Sequence, residues 1–301
     1  VMINKIGIVG GGNIGGVATS EIVGRGLARN VALVDIKEPD FAAGKCLDIA
    51  EGTPVIGTDA VLEGSKTYEV LEGADFVINT AGVPRKARAD GTFPTREELL
   101  TINLKVTNQV AEGIQKYCPD ATIISVANPL DAIVYTLDKR LSPPKNKLFG
   151  MAGQLYSGRY CSFVAEAANV SMENVNALVL GGHGDTMVPI RSACRIYGLP
   201  VTKFVSEQDL EAIETRTRKA GGEVVGMLGS GSAFVSPAWA ALEMAEAIIH
   251  DKRKIIPVCA KLEGEYGVNG LFVGVPAIVG RNGVEKVIEL DLTDDEKAAF
   301  D

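Results

Sequence analysis

The first fifteen residues constrain the chain more than any other stretch. Ile6-Gly7-Ile8-Val9 is a short apolar run of the kind that fills a buried parallel strand, and it passes straight into Gly10-Gly11-Gly12-Asn13-Ile14-Gly15. A helical pattern follows through Val17, Ile22 and Leu27. Glycines in a G-x-G-x-x-G turn between strand and helix permit a tight reversal and let a pyrophosphate approach the backbone. Its charge then sits at the helix N-terminus, where unpaired N–H groups favour an anion. Alone, the motif is weak. Val31-Ala32-Leu33-Val34-Asp35 strengthens it, because a second strand ends in an acid about twenty residues beyond Gly15. A carboxylate there accepts hydrogen bonds from a ribose diol and repels a 2′-phosphate, which points to NAD rather than NADP. Gly10, Gly12, Asn13, Ile14, Gly15 and Asp35 are the residues so marked; a solvated acid at a strand end is the plainer alternative for Asp35.

The alternation continues. Residues 45–49 read as helix, 74–79 as a parallel strand, 97–117 as helix and 121–126 as another strand. Pro129 stops that strand and opens the next helix, leaving Asn128 at the carboxyl edge of the sheet, where open α/β folds bind ligands. Such strand–helix repeats predict an α/β fold with a doubly wound parallel (Rossmann) sheet over residues 1–149. From residue 150 the character changes. Helical patterns at 155–168, 206–228 and 235–249 mix with strand-like runs at 175–180, 254–260 and 271–280, which predicts a second, α+β substrate domain over 150–301.

Two stretches carry chemistry. The segment from Thr80 to Arg96 is a long loop rich in Gly and Pro, with Arg85, Arg88 and Arg96 in a chain of net charge -8. Guanidinium forks match carboxylates, so anion recognition is one reading and an exposed basic loop the other. Val179-Leu180-Gly181-Gly182-His183-Gly184-Asp185 holds one of only 2 histidines. Hydride reduction of a ketone leaves an alkoxide that must collect a proton, and imidazole gives and takes one near neutral pH. A structural histidine in a Gly-rich turn is the alternative.

The acidic balance argues against nucleic-acid and membrane-surface partners. No apolar run reaches the ~20 residues that span a bilayer, and no signal peptide is expected. The end at Asp301 suggests that further chain follows it. The 5 cysteines are scattered and lack a CxxC pair, which suits reduced thiols in a cytoplasm and offers no metal site.

Taken together, Gly10-x-Gly12-x-x-Gly15, Asp35, Ala81-Gly82-Val83-Pro84-Arg85-Lys86, Val126-x-Asn128-Pro129, Gly150-Met151-Ala152-Gly153, Arg159, Gly181-Gly182-His183-Gly184-Asp185 and Gly231-Ser232-Ala233-Phe234 carry a specific resemblance. Along nearly its whole length the chain resembles the malate/lactate dehydrogenase family, most of all the lactate-dehydrogenase-like malate dehydrogenases. The resemblance implies NAD-dependent interconversion of malate and oxaloacetate. It implies His183 as proton donor and acceptor, Arg159 on the substrate's C1 carboxylate, and Arg85 on the distal carboxylate, where lactate dehydrogenases carry a neutral Gln. Arg96 would polarise the carbonyl as the loop closes, with Arg88 the alternative. Asn128 would touch substrate and cofactor, while Asn103 and Val126 would line the nicotinamide side. A small-molecule substrate and a homo-oligomer, dimer or tetramer, are implied partners.

Two departures stand out. Tyr156 occupies the place of the family's His-orienting Asp, and the stretch from Arg85 to Arg96 is longer than usual. A phenol brings no charge to stabilise imidazolium, so a lowered His183 pKa and slower turnover are expected. Lactate dehydrogenase and a catalytically impaired NAD-binding protein are the rival readings. Tyr135-x-x-x-Lys139 resembles the short-chain dehydrogenases, but their glycine loop is missing and the pair reads better as one helix face.

Overall fold

Four apolar residues in a row need cover on both faces of a strand. The computed structural model, which describes residues 3–84, 95–184, 186–229 and 231–301 without the side chain of Arg96, provides it. Arg85, Arg88 and Asp185 lie outside the described residues. In β1 (Lys5–Val9), Ile6 and Ile8 face one core layer, with Ile22 and Val23 of α1 (Asn13–Gly24). Val9 faces the other. Each fully buried Ile contributes about 1.5–3 kcal/mol.

The chain continues through β2 (Asn30–Val34), α2 (Phe41–Ile56), β3 (Val61–Ser65), β4 (Phe76–Asn79), α3 (Arg96–Tyr117), β5 (Thr122–Ser125), α4 (Leu130–Leu141) and β6 (Leu148–Met151). These strands pair in parallel in the order β3-β2-β1-β4-β5-β6. The order reverses between β1 and β4, which opens a crevice at their carboxyl ends. Val110 and Ile114 of α3 join Ile133 and Leu137 of α4 in covering the face opposite α1.

The second half holds α5 (Gly153–Ala168), β7 (Val175–Asn176), β8 (Val179–Gly181), β9 (Met187–Pro189), β10 (Arg195–Ile196), β11 (Leu199–Pro200), α6 (Glu207–Leu228), α7 (Val235–Ile249), β12 (Lys254–Glu263), β13 (Asn269–Gly280), β14 (Gly283–Val287) and α8 (Asp294–Phe300). β12 pairs antiparallel with β6, so the parallel sheet runs on through β12, β13, β8 and β9. The line drawn after residue 149 falls inside β6, a strand that both halves use.

Three elements differ from the sequence reading. The run at 175–180 is two strands: β7 pairs β10 in a small sheet, and β8 pairs β9 and β13 in the large one. β3 was not expected, because a partly exposed edge strand holding Glu63 and Gly64 shows no apolar run. α2 extends well beyond 45–49 despite Gly44, Gly52 and Pro54, with Ala42 and Cys46 seated in the core. Among the described residues no helix is long and apolar enough to cross a membrane.

Candidate active site

The loop after β1 is shaped by contact and by space. Gly10 takes φ +96°, and a Cβ on Gly15 would run into the Gly10 carbonyl oxygen. A Cβ on Gly12 would meet nothing. Gly12 caps α1 without a side-chain hydrogen bond, and no acid stands in the first turn, so the first N–H groups at Asn13 and Ile14 are left for an anion. Asp35, one residue beyond β2, accepts the Gly11 N–H at 2.6 Å through Oδ2 and the Lys37 N–H at 2.9 Å through Oδ1. That pins the carboxylate at the loop with lone pairs to spare for a diol. Lys45 of α2, which sequence reasoning missed, donates to the Gly12 carbonyl at 3.3 Å. The donors, the free space and the acid together fit a dinucleotide.

At the carboxyl edge of the sheet, Asn103 of α3 is buried with its amide fully used. Oδ1 accepts the Val83 N–H at 2.7 Å; Nδ2 donates to the Val83 carbonyl at 3.3 Å and the Asn128 carbonyl at 2.9 Å. Asn103 thus braces the chain leaving β4 against the chain leaving β5. Arg96 is the first residue of α3, behind a capping box in which Thr95 Oγ1 accepts the Glu98 N–H at 3.1 Å and the Thr95 N–H donates to Glu98 Oε2 at 2.7 Å. The Thr95-x-x-Glu98 spacing was a readable signal for that helix start.

A cavity of about 240 Å³ joins the two halves. Ile14, Val126 and Asn128 line it from the first, Tyr156, Arg159 and His183 from the second. α5 presents Tyr156 and Arg159 three residues apart on one face. The hairpin of β8 and β9 carries His183 at its tip, where Gly181 and Gly184 take φ +89° and +109°. Ser157 accepts the Val179 N–H at 2.9 Å, and a Cβ on Gly153 would stand 2.5 Å from the Val179 carbonyl oxygen. α5 therefore lies hard against β8, which sets Tyr156 beside the histidine. Tyr156 Oη is 2.9 Å from His183 Nδ1, and the rings are tilted with centroids 5.3 Å apart.

Arg159 has no carboxylate partner among the described residues, and its guanidinium lies 5.6 Å from the centre of the Tyr156 ring. Burial lowers its pKa. A desolvated, unpaired guanidinium beside an imidazole is a place for an anion. Burial also holds the His183 pKa below 6.5; Asp131 opposes that shift and Arg159 adds to it. The Tyr156 phenol is pushed well above its usual range, again chiefly by burial, and stays protonated.

The lactate/malate dehydrogenase NAD-binding domain model matches residues 4–150, and the alpha/beta C-terminal domain model of the same enzymes matches 154–301. The chain belongs to the lactate/malate dehydrogenase family. Its cofactor is NAD. Among solved structures it is similar to malate dehydrogenase from Salinibacter ruber, at 41% identity over 98% of this chain and 92% of that one, with a TM-score of 0.91. Malate dehydrogenase from Cryptosporidium parvum is 40% identical over 99% and 95%, TM-score 0.93. Lactate dehydrogenase from the same organism, complexed with lactic acid and NAD, is 38% identical over 100% and 94%, TM-score 0.93. Malate and lactate enzymes both stand among these neighbours, so substrate choice turns on the residues of the site.

For this dehydrogenase the structure brings His183, Arg159, Asn128, Val126 and Ile14 to one cavity and sets Asn103 behind it. Asp35, Gly10, Gly12 and Gly15 shape the loop at the start of α1. Arg85 falls outside the described residues, as does the side chain of Arg96. Elsewhere, Lys139 Nζ sits 5.1 Å over the Tyr135 ring on α4, a helix-face contact.

Proposed function

We propose that the chain is a malate dehydrogenase, reversibly converting malate and NAD to oxaloacetate and NADH. The observation that carries this reading is the Arg159 guanidinium, without a carboxylate partner among the described residues, beside His183 in one cavity at the edge of the NAD-binding sheet. NAD supplies the hydride acceptor and, when reduced, the donor. Arg159 grips the carboxylate next to the reacting carbon with two parallel N–H donors. His183 takes the hydroxyl proton as malate is oxidised and returns it to the oxygen as oxaloacetate is reduced. Asn128 holds that oxygen in line, and the apolar wall of Ile14 and Val126 keeps water away.

Malate over lactate rests on Arg85. A second carboxylate pairs with its cation, whereas the methyl of pyruvate leaves the charge bare. With NADH, oxaloacetate should exceed pyruvate in kcat/KM by at least about 100-fold, and Arg85→Gln should erase most of that gap. Equal rates on the two substrates would overturn the malate assignment. Tyr156 favours a second reading, an NAD-binding protein with weakened catalysis, which an absence of turnover on both substrates would support. A homo-oligomer belongs to the main reading: Met227 and half-exposed Trp239 flank an apolar groove of about 630 Å³ on α5–α7, suited to a second copy and checked by solution mass. Five unpaired thiols suit a reducing, cytoplasmic setting.

A further inference from the structure

We infer that Tyr156 is a positioning residue that holds neutral His183 with its proton on Nε2, so that the resting imidazole offers substrate an N–H and not a lone pair. This rests on His183 being the proton partner in the dehydrogenase reaction. Only one hydrogen fits between Tyr156 Oη and His183 Nδ1 at 2.9 Å, and it belongs to one of the two.

Suppose it belongs to Nδ1. The phenol oxygen then accepts it. The phenol's own hydrogen is left over. Among the described residues Oη has no other acceptor, and Tyr156 is only 5% exposed. Of the described charged neighbours, Arg159 is a pure donor, and Asp131, the acid that acts on both rings, accepts the Cys259 thiol at 3.6 Å on Oδ1. Suppose instead that the phenol donates to Nδ1. The phenol O–H then has its acceptor and Nδ1 its donor. Depriving the phenol O–H of its protein acceptor favours this second arrangement by about tenfold.

The consequence is directional. An Nε2–H donates a hydrogen bond to the carbonyl oxygen of an oxo acid. It has no lone pair to take the proton of a hydroxy acid, whose O–H must break as an N–H forms at Nε2. That step needs the Nδ1–H form, in which the phenol has turned away from its one acceptor. Productive hydroxy-acid binding therefore draws on the minor tautomer. A carboxylate at this position would do the reverse, accepting Nδ1–H and freeing Nε2.

The test is nitrogen NMR of protein labelled with ¹⁵N-histidine, well above the ordinary imidazole pKa, with His250→Gln assigning the only other histidine. Couplings to the ring protons report which nitrogen carries hydrogen. In wild type the Nε2–H form should exceed Nδ1–H by about tenfold. Tyr156→Asp should move the proton to Nδ1. A wild-type His183 protonated on Nδ1 would overturn the inference, as would an unmoved proton in a folded Tyr156→Asp protein. Should that variant not fold, the wild-type spectrum decides alone. Since it needs no turnover, its outcome is separate from that of the oxaloacetate assay.

Discussion

The cofactor loop and the substrate cavity are built in opposite ways. In the loop, most partners lie close along the chain or beside an adjacent strand, Gly10 against Gly15, Gly11 against Asp35 and Asp35 against Lys37, with Lys45 of α2 the one reaching in from a helix. The cavity takes Asn128, Arg159 and His183 from three separate elements, held in place by braces such as Asn103 to Asn128 and Ser157 to Val179. Local motifs of the first kind tolerate few changes, because backbone geometry leaves no alternative residue. A distributed site of the second kind admits a replacement like Tyr156, provided that the hydrogen bonds are redrawn around it.

Substitutions on either side should separate the two. His183→Gln is expected to lower kcat by about 1,000-fold with NADH affinity unchanged, since it removes the proton partner and leaves the loop intact. Stopped-flow turnover beside NADH fluorescence titration checks this; a parallel loss of NADH binding would mean that the halves are not separable. Asp35→Ala should act in the opposite sense and more weakly. It removes the acceptor of the Gly11 N–H and of the ribose diol, so the NADH Kd should rise about tenfold while kcat at saturating NADH holds.

The same contrast explains what was legible. The doubly wound order was readable because apolar strands, glycine turns and helical periods recur in sequence order, and buried parallel strands leave no polar interruption. β3 was not, since an edge strand carries no such run. The pairing of His183 with residue 156 was expected from the resemblance, yet nothing local to either residue shows the hairpin pressed on α5. Asn103 is instructive: its spacing gives no hint that all its amide atoms are spent bracing Val83 and Asn128. Buried polar braces join residues distant in sequence, and only three-dimensional bookkeeping of donors and acceptors reveals them.

Proton chemistry at a desolvated imidazole beside an uncharged phenol is the feature on which the cavity's function depends. The most direct measurement is the pH dependence of kcat/KM for oxaloacetate reduction in wild type and Tyr156→Asp. Reduction needs the protonated imidazole, and burial lowers its pKa, so the wild-type rate should begin to fall at a pH below 6.5 and drop tenfold per unit beyond. A carboxylate at 156 should carry that fall upward by about one unit or more. Superimposable profiles from the two proteins would contradict it.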